Sequence, residues 1–196
     1  MKKQSVDVLV SNLNRSIEAK KQLLADPERL QSFARAAEVI VSAYRRGGRL
    51  LIAGNGGSAA DAQHLAAEFV SKLARDRNPL PAEALTTDSS ILTAIGNDYG
   101  FDYIFSRQVE GKARPEDVFL GITTSGMSKN IIEAINCCKR KGIISIVLTG
   151  KGGGSTRDMA DICVVAPGSL TSTIQEVHIA LAHSLCEIVE QTLFPG

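Results

Sequence analysis

The sequence predicts a doubly wound α/β fold with a mostly parallel five-stranded sheet flanked by helices. After residue 48, five short apolar runs of strand length alternate with helical patterns, which is typical of such a sheet. The 196 residues are enough for one sizeable core, so we expect residues 1–196 to form a single domain. Two helices would occupy residues 1–47, before an α/β core in residues 48–196. The predicted strands are Leu50–Ala53, Ala82–Thr86, Val118–Thr123, Ile143–Thr149 and Ile162–Val165.

Two amphipathic helices are predicted ahead of the sheet. Asp26-Pro27 separates them, because proline is favourable at a helix start, and Gly47-Gly48 ends the second helix. The first apolar stripe is Val6, Leu9, Leu13, Ile17 and Leu24, and the second is Leu30, Phe33, Ala37, Ile40 and Tyr44. These stripes could cover the sheet or pack on another subunit.

A glycine turn, Gly54-Asn-Gly-Gly-Ser58, follows the first strand and leads into a helix predicted to reach Leu73. We expect Ser58 to be its N-cap. Glycines let the backbone approach a ligand closely, and a helix N-terminus offers free N–H groups and partial positive charge. The turn therefore suits a phosphate or another anionic or polyhydroxyl ligand. Its spacing is neither the dinucleotide fingerprint nor a P-loop.

His64 and Glu68 lie further along this predicted helix, four residues apart and therefore on one face. They place an imidazole and a carboxylate just beyond the glycine turn. The spacing alone is equally compatible with a solvated ion pair beside an ordinary turn.

A loop rich in hydroxyl groups, Thr123-Thr-Ser-Gly-Met-Ser128, follows the third strand, and we expect a helix from about Lys129. Ligands of doubly wound sheets bind outside the carboxyl ends of the strands. Serine and threonine also favour such turns as caps, but four hydroxyls exceed what capping needs. We therefore favour phosphate binding here. The loop after the fourth strand, Gly150–Ser155, is rich in glycine, and flexibility alone would explain it.

The last predicted helix runs from about Thr173 to Leu193 and contains His178 and His183. Because they are five residues apart, the two side chains point in different directions. At least one is expected to be an ordinary helix histidine. A functional histidine here would need His64 and Glu68 as partners.

Composition excludes several classes of protein. The formal net charge is +1 with no basic block, so nothing indicates binding to nucleic acid or to a membrane surface. No run is long and apolar enough to span a bilayer, and the first residues do not resemble a signal peptide. The four cysteines lack metal-binding spacing, and we expect buried, reduced thiols and a cytoplasmic location.

Taken together, these segments resemble the phosphoheptose isomerase family, within the SIS fold of sugar isomerases. The resemblance covers nearly the whole chain. Its motifs, in order, are Gly54-Asn-Gly-Gly-Ser58, Asp61-Ala-Gln-His64 with Glu68, Ala94-Ile-Gly-Asn-Asp98, Phe105-Ser-Arg107, Thr123-Thr-Ser-Gly126 with Ser128, and Ile174-Gln-Glu-Val-His178 with His183.

The resemblance implies a homotetramer with active sites between subunits and one zinc ion per subunit. The implied reaction interconverts sedoheptulose 7-phosphate and D-glycero-D-manno-heptose 7-phosphate. By motif, the zinc ligands would be His64, Glu68, Gln175 and His183, and Glu68 and His183 would be the acid/base pair. The implied substrate contacts are Asn55, Gly56, Gly57, Glu68, Asn97, Asp98, Thr123, Thr124, Ser125, Ser128 and Gln175.

Gln175 raises a geometric difficulty. It precedes His183 by eight residues, which is ~12 Å along a straight helix. One metal ion could bind both only if the side chains stretch or Gln175 precedes the regular helix. Otherwise the two ligands come from different subunits.

The sequence departs from the family pattern at three positions. Thr123 stands where serine is common and keeps the hydroxyl, Met127 replaces a polar asparagine, and Ser172 stands where some members have an acidic residue. The alternative function is a non-catalytic SIS-fold binding protein that resembles the DnaA initiator-associating protein. Such a protein is expected to lack Glu68. A sugar-phosphate-sensing regulator is a third possibility, but the sequence shows no DNA-binding segment.

Overall fold

The computed structural model describes residues 2–195, which form a five-stranded sheet and eight helices. The strands are β1 Leu50–Gly54, β2 Ala82–Ala84, β3 Val118–Thr123, β4 Ile144–Thr149 and β5 Ile162–Val165. The helices are α1 Lys2–Leu24, α2 Pro27–Arg45, α3 Gly57–Val70, α4 Ser89–Asp98, α5 Ser106–Lys112, α6 Lys129–Lys141, α7 Thr156–Met159 and α8 Thr171–Leu193. Short 3₁₀ turns occupy Phe101–Tyr103 and Lys151–Gly153.

All the strand pairs are parallel, in the order β2-β1-β3-β4-β5. This confirms the predicted doubly wound sheet. From β1 the chain continues to one side of the sheet, and from β3 it continues to the other side. Ligands of doubly wound sheets bind in the crevice between two such strands. The glycine turn follows β1 and the hydroxyl loop follows β3, so both predicted ligand loops lie at this crevice.

The strands are buried on both faces, which explains their continuous apolar runs. Leu50, Ile52 and Leu120 belong to a core cluster shared with α2, α3 and α8. Leu51 and Phe119 alternate with them and belong to the opposite core cluster, shared with α5 and α6. The sheet thus separates two helical layers.

The helix boundaries follow local chemistry. Asp26 caps α2, since its side chain accepts a hydrogen bond from the backbone N–H of Arg29 at 3.2 Å, and Pro27 begins the helix. The predicted cap at Ser58 is wrong: α3 begins at Gly57, after Gly56 with φ 54°. Glycine adopts this conformation readily, so it makes the turn and Ser58 lies buried inside the helix.

Two further expectations are corrected. The helix predicted to reach Leu73 ends at Val70, and β2 ends at Ala84 rather than Thr86. In the glycine-rich segment 150–155, Gly150 and Gly153 are buried and the other four residues are exposed. A side chain at Gly126 would collide with the carbonyl group of Gly153.

The apolar stripe predicted on α1 faces away from the sheet. Val6, Leu9, Leu13 and Ile17 are about half exposed, whereas Ala19 is buried on the opposite face of the helix. Helix α1 contacts α2 and α8. Among residues 2–195, no helix combines the length and apolar character that a membrane span requires.

Candidate active site and metal centre

A cluster of two histidines and one glutamate lies between α3 and α8. Both imidazoles contact the same carboxylate oxygen, Oε1 of Glu68: His64 Nε2 at 3.1 Å and His183 Nε2 at 3.3 Å. The two rings meet edge to face with centroids 5.2 Å apart. Glu68 is buried at 9% exposure, whereas both imidazoles remain partly open to solvent. The predicted partnership of His64, Glu68 and His183 is therefore present.

This cluster fits a divalent metal ion. The three candidate ligand atoms lie within 4.8 Å of one another. The second carboxylate oxygen of Glu68, Oε2, is buried and has no hydrogen-bond partner. A buried carboxylate oxygen without a donor is unfavourable unless a ligand completes its coordination. Two imidazoles and a carboxylate match the ligands that zinc accepts, with a fourth position left for another ligand.

Gln175 is not part of this cluster. Helix α8 begins at Thr171, so Gln175 lies inside the regular helix and stays ~12 Å from His183 along the axis. Its side-chain amide packs against Gly57, at the start of α3, where any larger residue would displace it. Gln175 lines a cleft of about 440 Å³ together with His64 and Asp61.

Asp61 has a raised pKa, because burial disfavours its charged form while the nearby His64 partly offsets this effect. Its Oδ2 atom is buried without a hydrogen-bond partner. Together with Gln175, this carboxylate gives the cleft beside the cluster a polar lining suited to a ligand rich in hydroxyl groups.

The hydroxyl loop is held by its own side chains. Thr123 Oγ1 lies 2.9 Å from Ser128 Oγ, and Ser125 Oγ accepts a hydrogen bond from the backbone N–H of Met127 at 3.1 Å. Ser128 occupies the N-cap position of α6 but makes no side-chain cap hydrogen bond. In the first turn of α6, the N–H group of Ile131 donates to the backbone carbonyl oxygen of Ser128 at 3.1 Å. The N–H groups of Lys129 and Asn130 are those that an anion could use.

Asn130 is a residue of this region that the sequence did not single out. It is the second residue of α6, is 2% exposed, and exchanges two side-chain hydrogen bonds with Asn55 in the glycine turn. An asparagine directly after a ligand loop is a weak signal by itself. Only the spatial proximity of two loops distant in sequence reveals its partner.

Asn97, Asp98 and His178 make no hydrogen bond to the cluster. Asn97 and Asp98, at the end of α4, are exposed and bond to each other at 2.8 Å. His178 is the expected ordinary helix histidine: it is buried, and its Nε2 lies 3.0 Å from the carbonyl oxygen of Thr149. Burial lowers the pKa of His178, although the contact with Thr149 opposes this change.

Comparison with known proteins identifies the family of the chain. The model of the SIS domain family matches residues 14–150. Over 188 residues the chain is 49% identical to a phosphoheptose isomerase of Aneurinibacillus thermoaerophilus, covering 96% of this chain and 95% of that relative. The chain belongs to the phosphoheptose isomerase family.

Two solved phosphoheptose isomerases have the same fold. The structure from Francisella tularensis matches with a TM-score of 0.90 and 39% identity, over 95% of this chain and 98% of that one. The structure from Neisseria gonorrhoeae gives a TM-score of 0.85 and 40% identity, over 97% and 98%. The SIS fold inferred from the sequence is thereby confirmed.

The departure at Met127 has a visible consequence in this member of the phosphoheptose isomerase family. Met127 is 57% exposed, and its sulfur lies 3.3 Å from both the backbone nitrogen and the hydroxyl of Ser155. The thioether thus bonds to the glycine-rich segment. It offers no strong polar group to a phosphate.

Proposed function

We propose that this protein is a phosphoheptose isomerase that interconverts sedoheptulose 7-phosphate and D-glycero-D-manno-heptose 7-phosphate. The observation that carries the proposal is the His64–Glu68–His183 cluster between α3 and α8. This reaction would be the first step toward activated heptose for bacterial surface polysaccharide. Membership of the family supports this assignment.

The reaction moves a proton between adjacent carbons through an enediol. Glu68 is the proposed base, taking a proton from C1 of the ketose and returning it at C2. Its Oε1 contacts both imidazoles, while its buried Oε2 has no hydrogen-bond partner in the protein. His183 would move protons between the hydroxyl and carbonyl oxygens.

Zinc, one ion per subunit, is the proposed metal, with His64, Glu68 and His183 as ligands from one chain. When bound, it would polarise the substrate carbonyl as a Lewis acid. Gln175 is the proposed fourth ligand, and its position two turns before His183 suits a contribution to the site of a neighbouring subunit. Metal analysis of the purified protein, followed by His64→Ala, tests the ligand set.

The hydroxyl loop is the proposed phosphate site. Thr123, Thr124, Ser125 and Ser128 surround the N-terminus of α6, whose N–H groups favour an anion. Asn55, Gly56 and Gly57 of the facing turn, with Asn97, Asp98 and Gln175, are the remaining proposed substrate contacts. Binding energy from a phosphate remote from the reacting carbons would orient C1 and C2 against Glu68.

We further propose a cytoplasmic homotetramer without nucleic-acid or membrane partners. The half-exposed apolar row Val6, Leu9, Leu13 and Ile17 on α1 supports a helical subunit interface. Light scattering at micromolar concentration should give four subunits. A monomer would contradict both the assembly and the sharing of Gln175 between subunits.

An assay of the purified protein with sedoheptulose 7-phosphate tests the function directly. We expect formation of the aldose and exchange of a C1 proton with solvent deuterium. Tight sugar-phosphate binding without turnover or exchange would instead favour the non-catalytic binding protein.

A further inference from the structure

Arg77 has a buried side chain that bonds to the C-terminal end of α3. Its Nη2 donates to the backbone carbonyl oxygen of Glu68 at 2.9 Å, and its Nη1 donates to that of Phe69 at 2.7 Å. Helix α3 ends at Val70, and the last four carbonyl groups of a helix have no regular partner within it. The guanidinium group, 1% exposed, therefore supplies donors that α3 itself lacks.

The same guanidinium group connects α3 to α8. Its Nε donates to Oε1 of Glu190 at 3.0 Å, and its Nη2 lies 3.0 Å from the same oxygen. Glu190 follows His183 by about two turns of α8, so the two side chains leave nearly the same face of that helix. Arg77 thus bonds to the backbone of one candidate metal ligand, Glu68, and to the helix that carries another.

We propose that Arg77 is a positioning residue, which holds the last turn of α3 so that the Glu68 carboxylate stays within reach of His64 and His183. This inference rests on the proposed function, in which these three residues bind a metal ion and Glu68 is the base. Every contact that it uses lies within α3, α8 and the segment that follows α3.

Glu68 is the candidate ligand closest to this helix end. It lies two residues before the end of α3, whereas His64 lies one turn earlier, inside the helix. Terminal turns open more readily than the interior of a helix, because their carbonyl groups lack partners. Once the backbone at Glu68 leaves the helical conformation, its Oε1 no longer stays 3.1 and 3.3 Å from the two imidazoles. Loss of the Arg77 contacts should therefore weaken metal binding through Glu68.

Arg77→Lys tests this role. The lysine ammonium keeps a positive charge beside Glu190, but it is a compact point charge without the planar fork that reaches two carbonyl groups at once. We expect a folded protein whose zinc affinity, measured by competition with a chelator, is about 10- to 100-fold weaker, the usual loss when a partner of a metal ligand is removed. Hydrogen–deuterium exchange at the last-turn amides of α3 should be faster. At saturating zinc, kcat for sedoheptulose 7-phosphate should still be at least about tenfold lower, because the base is misplaced.

Two controls separate positioning from general stability. Glu190→Gln removes the negative charge of the ion pair but leaves the guanidinium group and its bonds to α3, so it should lose stability and keep its zinc affinity. Arg75→Lys changes an exposed side chain of the same segment and should match wild type in both. Zinc affinity of Arg77→Lys within about twofold of wild type would overturn the proposal. An equal loss of zinc affinity in Glu190→Gln would also overturn it, since lost stability alone would then account for the effect.

Two further results keep the outcomes separate. If Arg77→Lys does not fold, the double variant Arg77→Gln/Glu190→Gln is compared with Glu190→Gln, since it leaves no uncompensated buried charge. Its zinc affinity should be about 10- to 100-fold weaker than that of Glu190→Gln, and equal affinities would overturn the proposal. Wild-type protein that binds zinc through His64 without isomerising sedoheptulose 7-phosphate contradicts the proposed reaction alone, and the zinc affinities still decide the role of Arg77. A wild type without zinc affinity contradicts both.

Discussion

Glu68 on α3 and Glu190 on α8 are both buried glutamates, but they differ in how many of their carboxylate oxygens have hydrogen-bond partners. Glu190 accepts hydrogen bonds from the backbone N–H groups of Leu73 and Ala74 at 2.9 and 3.2 Å, and pairs with Arg77 at 3.0 Å. Both oxygens of Glu190 are therefore saturated. In Glu68 only Oε1 has partners, and Oε2 has none.

The difference separates a carboxylate whose two oxygens are both bonded from one that has an oxygen without a partner. Glu190 lies beyond the C-terminal end of α3, towards the amino edge of the sheet, where carboxylates are fully satisfied. Asp117 at that edge likewise accepts from Arg49 and Arg114. Glu68 lies two residues before the C-terminal end of α3, and the same Arg77 donates a hydrogen bond to its backbone carbonyl oxygen at 2.9 Å. Its side-chain Oε2 is the oxygen left for a metal ion, a substrate or a proton. Saturated carboxylates stabilise the fold, and the unsaturated one is suited to function.

The largest effect is expected for Glu68→Gln. Glutamine keeps nearly the same shape, so the fold and assembly should survive, but it cannot take a proton from carbon. Loss of a general base typically lowers the rate about 10²–10⁴-fold. Turnover of sedoheptulose 7-phosphate and exchange of its C1 proton with deuterium should both fall by this factor.

Glu38→Gln, an exposed change on α2, is the control and should leave activity unchanged. Metal analysis of the Glu68→Gln protein separates loss of the base from loss of a metal ligand. Wild-type turnover and exchange in this variant would show that the base lies elsewhere, and His183 would be the next candidate.

Glu190→Gln should lower stability rather than chemistry. Both partners of the ion pair are 1% exposed, and removing one charge leaves Arg77 uncompensated. Breaking such a buried pair typically costs about 3–5 kcal/mol, measurable by urea denaturation at pH 7. Glu187→Gln, an exposed change on the same helix, is the matched control.

The loss of stability in the Glu190→Gln variant, relative to wild type, should become smaller as the pH falls. Burial acts to raise the pKa of Glu190, but the N–H groups of Leu73, Ala74 and Arg75 and the charge of Arg77 outweigh it, so the pKa is lowered from 4.5. This carboxylate therefore contributes stability above about pH 4.5 that is lost as the pH falls through its lowered pKa. An unchanged difference between wild type and variant at low pH would contradict this account.

Ser128→Ala tests whether the hydroxyl loop binds phosphate. The variant loses one donor, with a weaker phosphate affinity expected by about 1.5–3 kcal/mol, the usual contribution of a hydrogen bond to a charged group. Calorimetry with sugar phosphates measures the change, and the exposed Ser42→Ala is the control. Unchanged affinity would return the loop to an ordinary turn.

The smallest effect is expected for Asp117→Asn at the amino edge. The amide keeps one acceptor but places N–H donors opposite the donors of Arg49 and Arg114, which should lower stability by about 1–3 kcal/mol. Chemical denaturation of Asp117→Asn and of the exposed control Asp158→Asn gives the difference. Because Asp117 bonds to Arg49 and Arg114 and not to the cluster, kcat should remain at the wild-type value. A fall in kcat would contradict a purely structural role for Asp117.

Most of the fold could be predicted from the sequence because its signals are local. Apolar runs marked all five strands, and Asp26-Pro27 marked the start of α2. The errors were also local: Ser58 resembles a cap by residue type, but the backbone of Gly56 makes the turn. For α1, the periodicity predicted the apolar stripe but not which surface the stripe would pack against. The exposure of Leu9 and Leu13 could therefore not be predicted.

The site was predictable only where spacing or topology constrained it. His64 and Glu68 are four residues apart on one helix, and the carboxyl ends of β1 and β3 must meet at one edge. His183 was joined to them by resemblance, and the structure brings the three together. Asn130 was missed because its partner Asn55 is 75 residues away, and no local pattern encodes that contact.

The position of β1 in the sheet has a consequence for the growing chain. Its neighbours β2 and β3 both follow it in sequence, so the first strand to leave the ribosome has no earlier strand to pair with. The 75 residues between Asn55 and Asn130 correspond to about 4–15 s of synthesis at about 5–20 residues per second. β1 therefore stays an unpaired apolar strand until β2 and β3 have been synthesised, and the contact between the glycine turn and α6 is completed only after both.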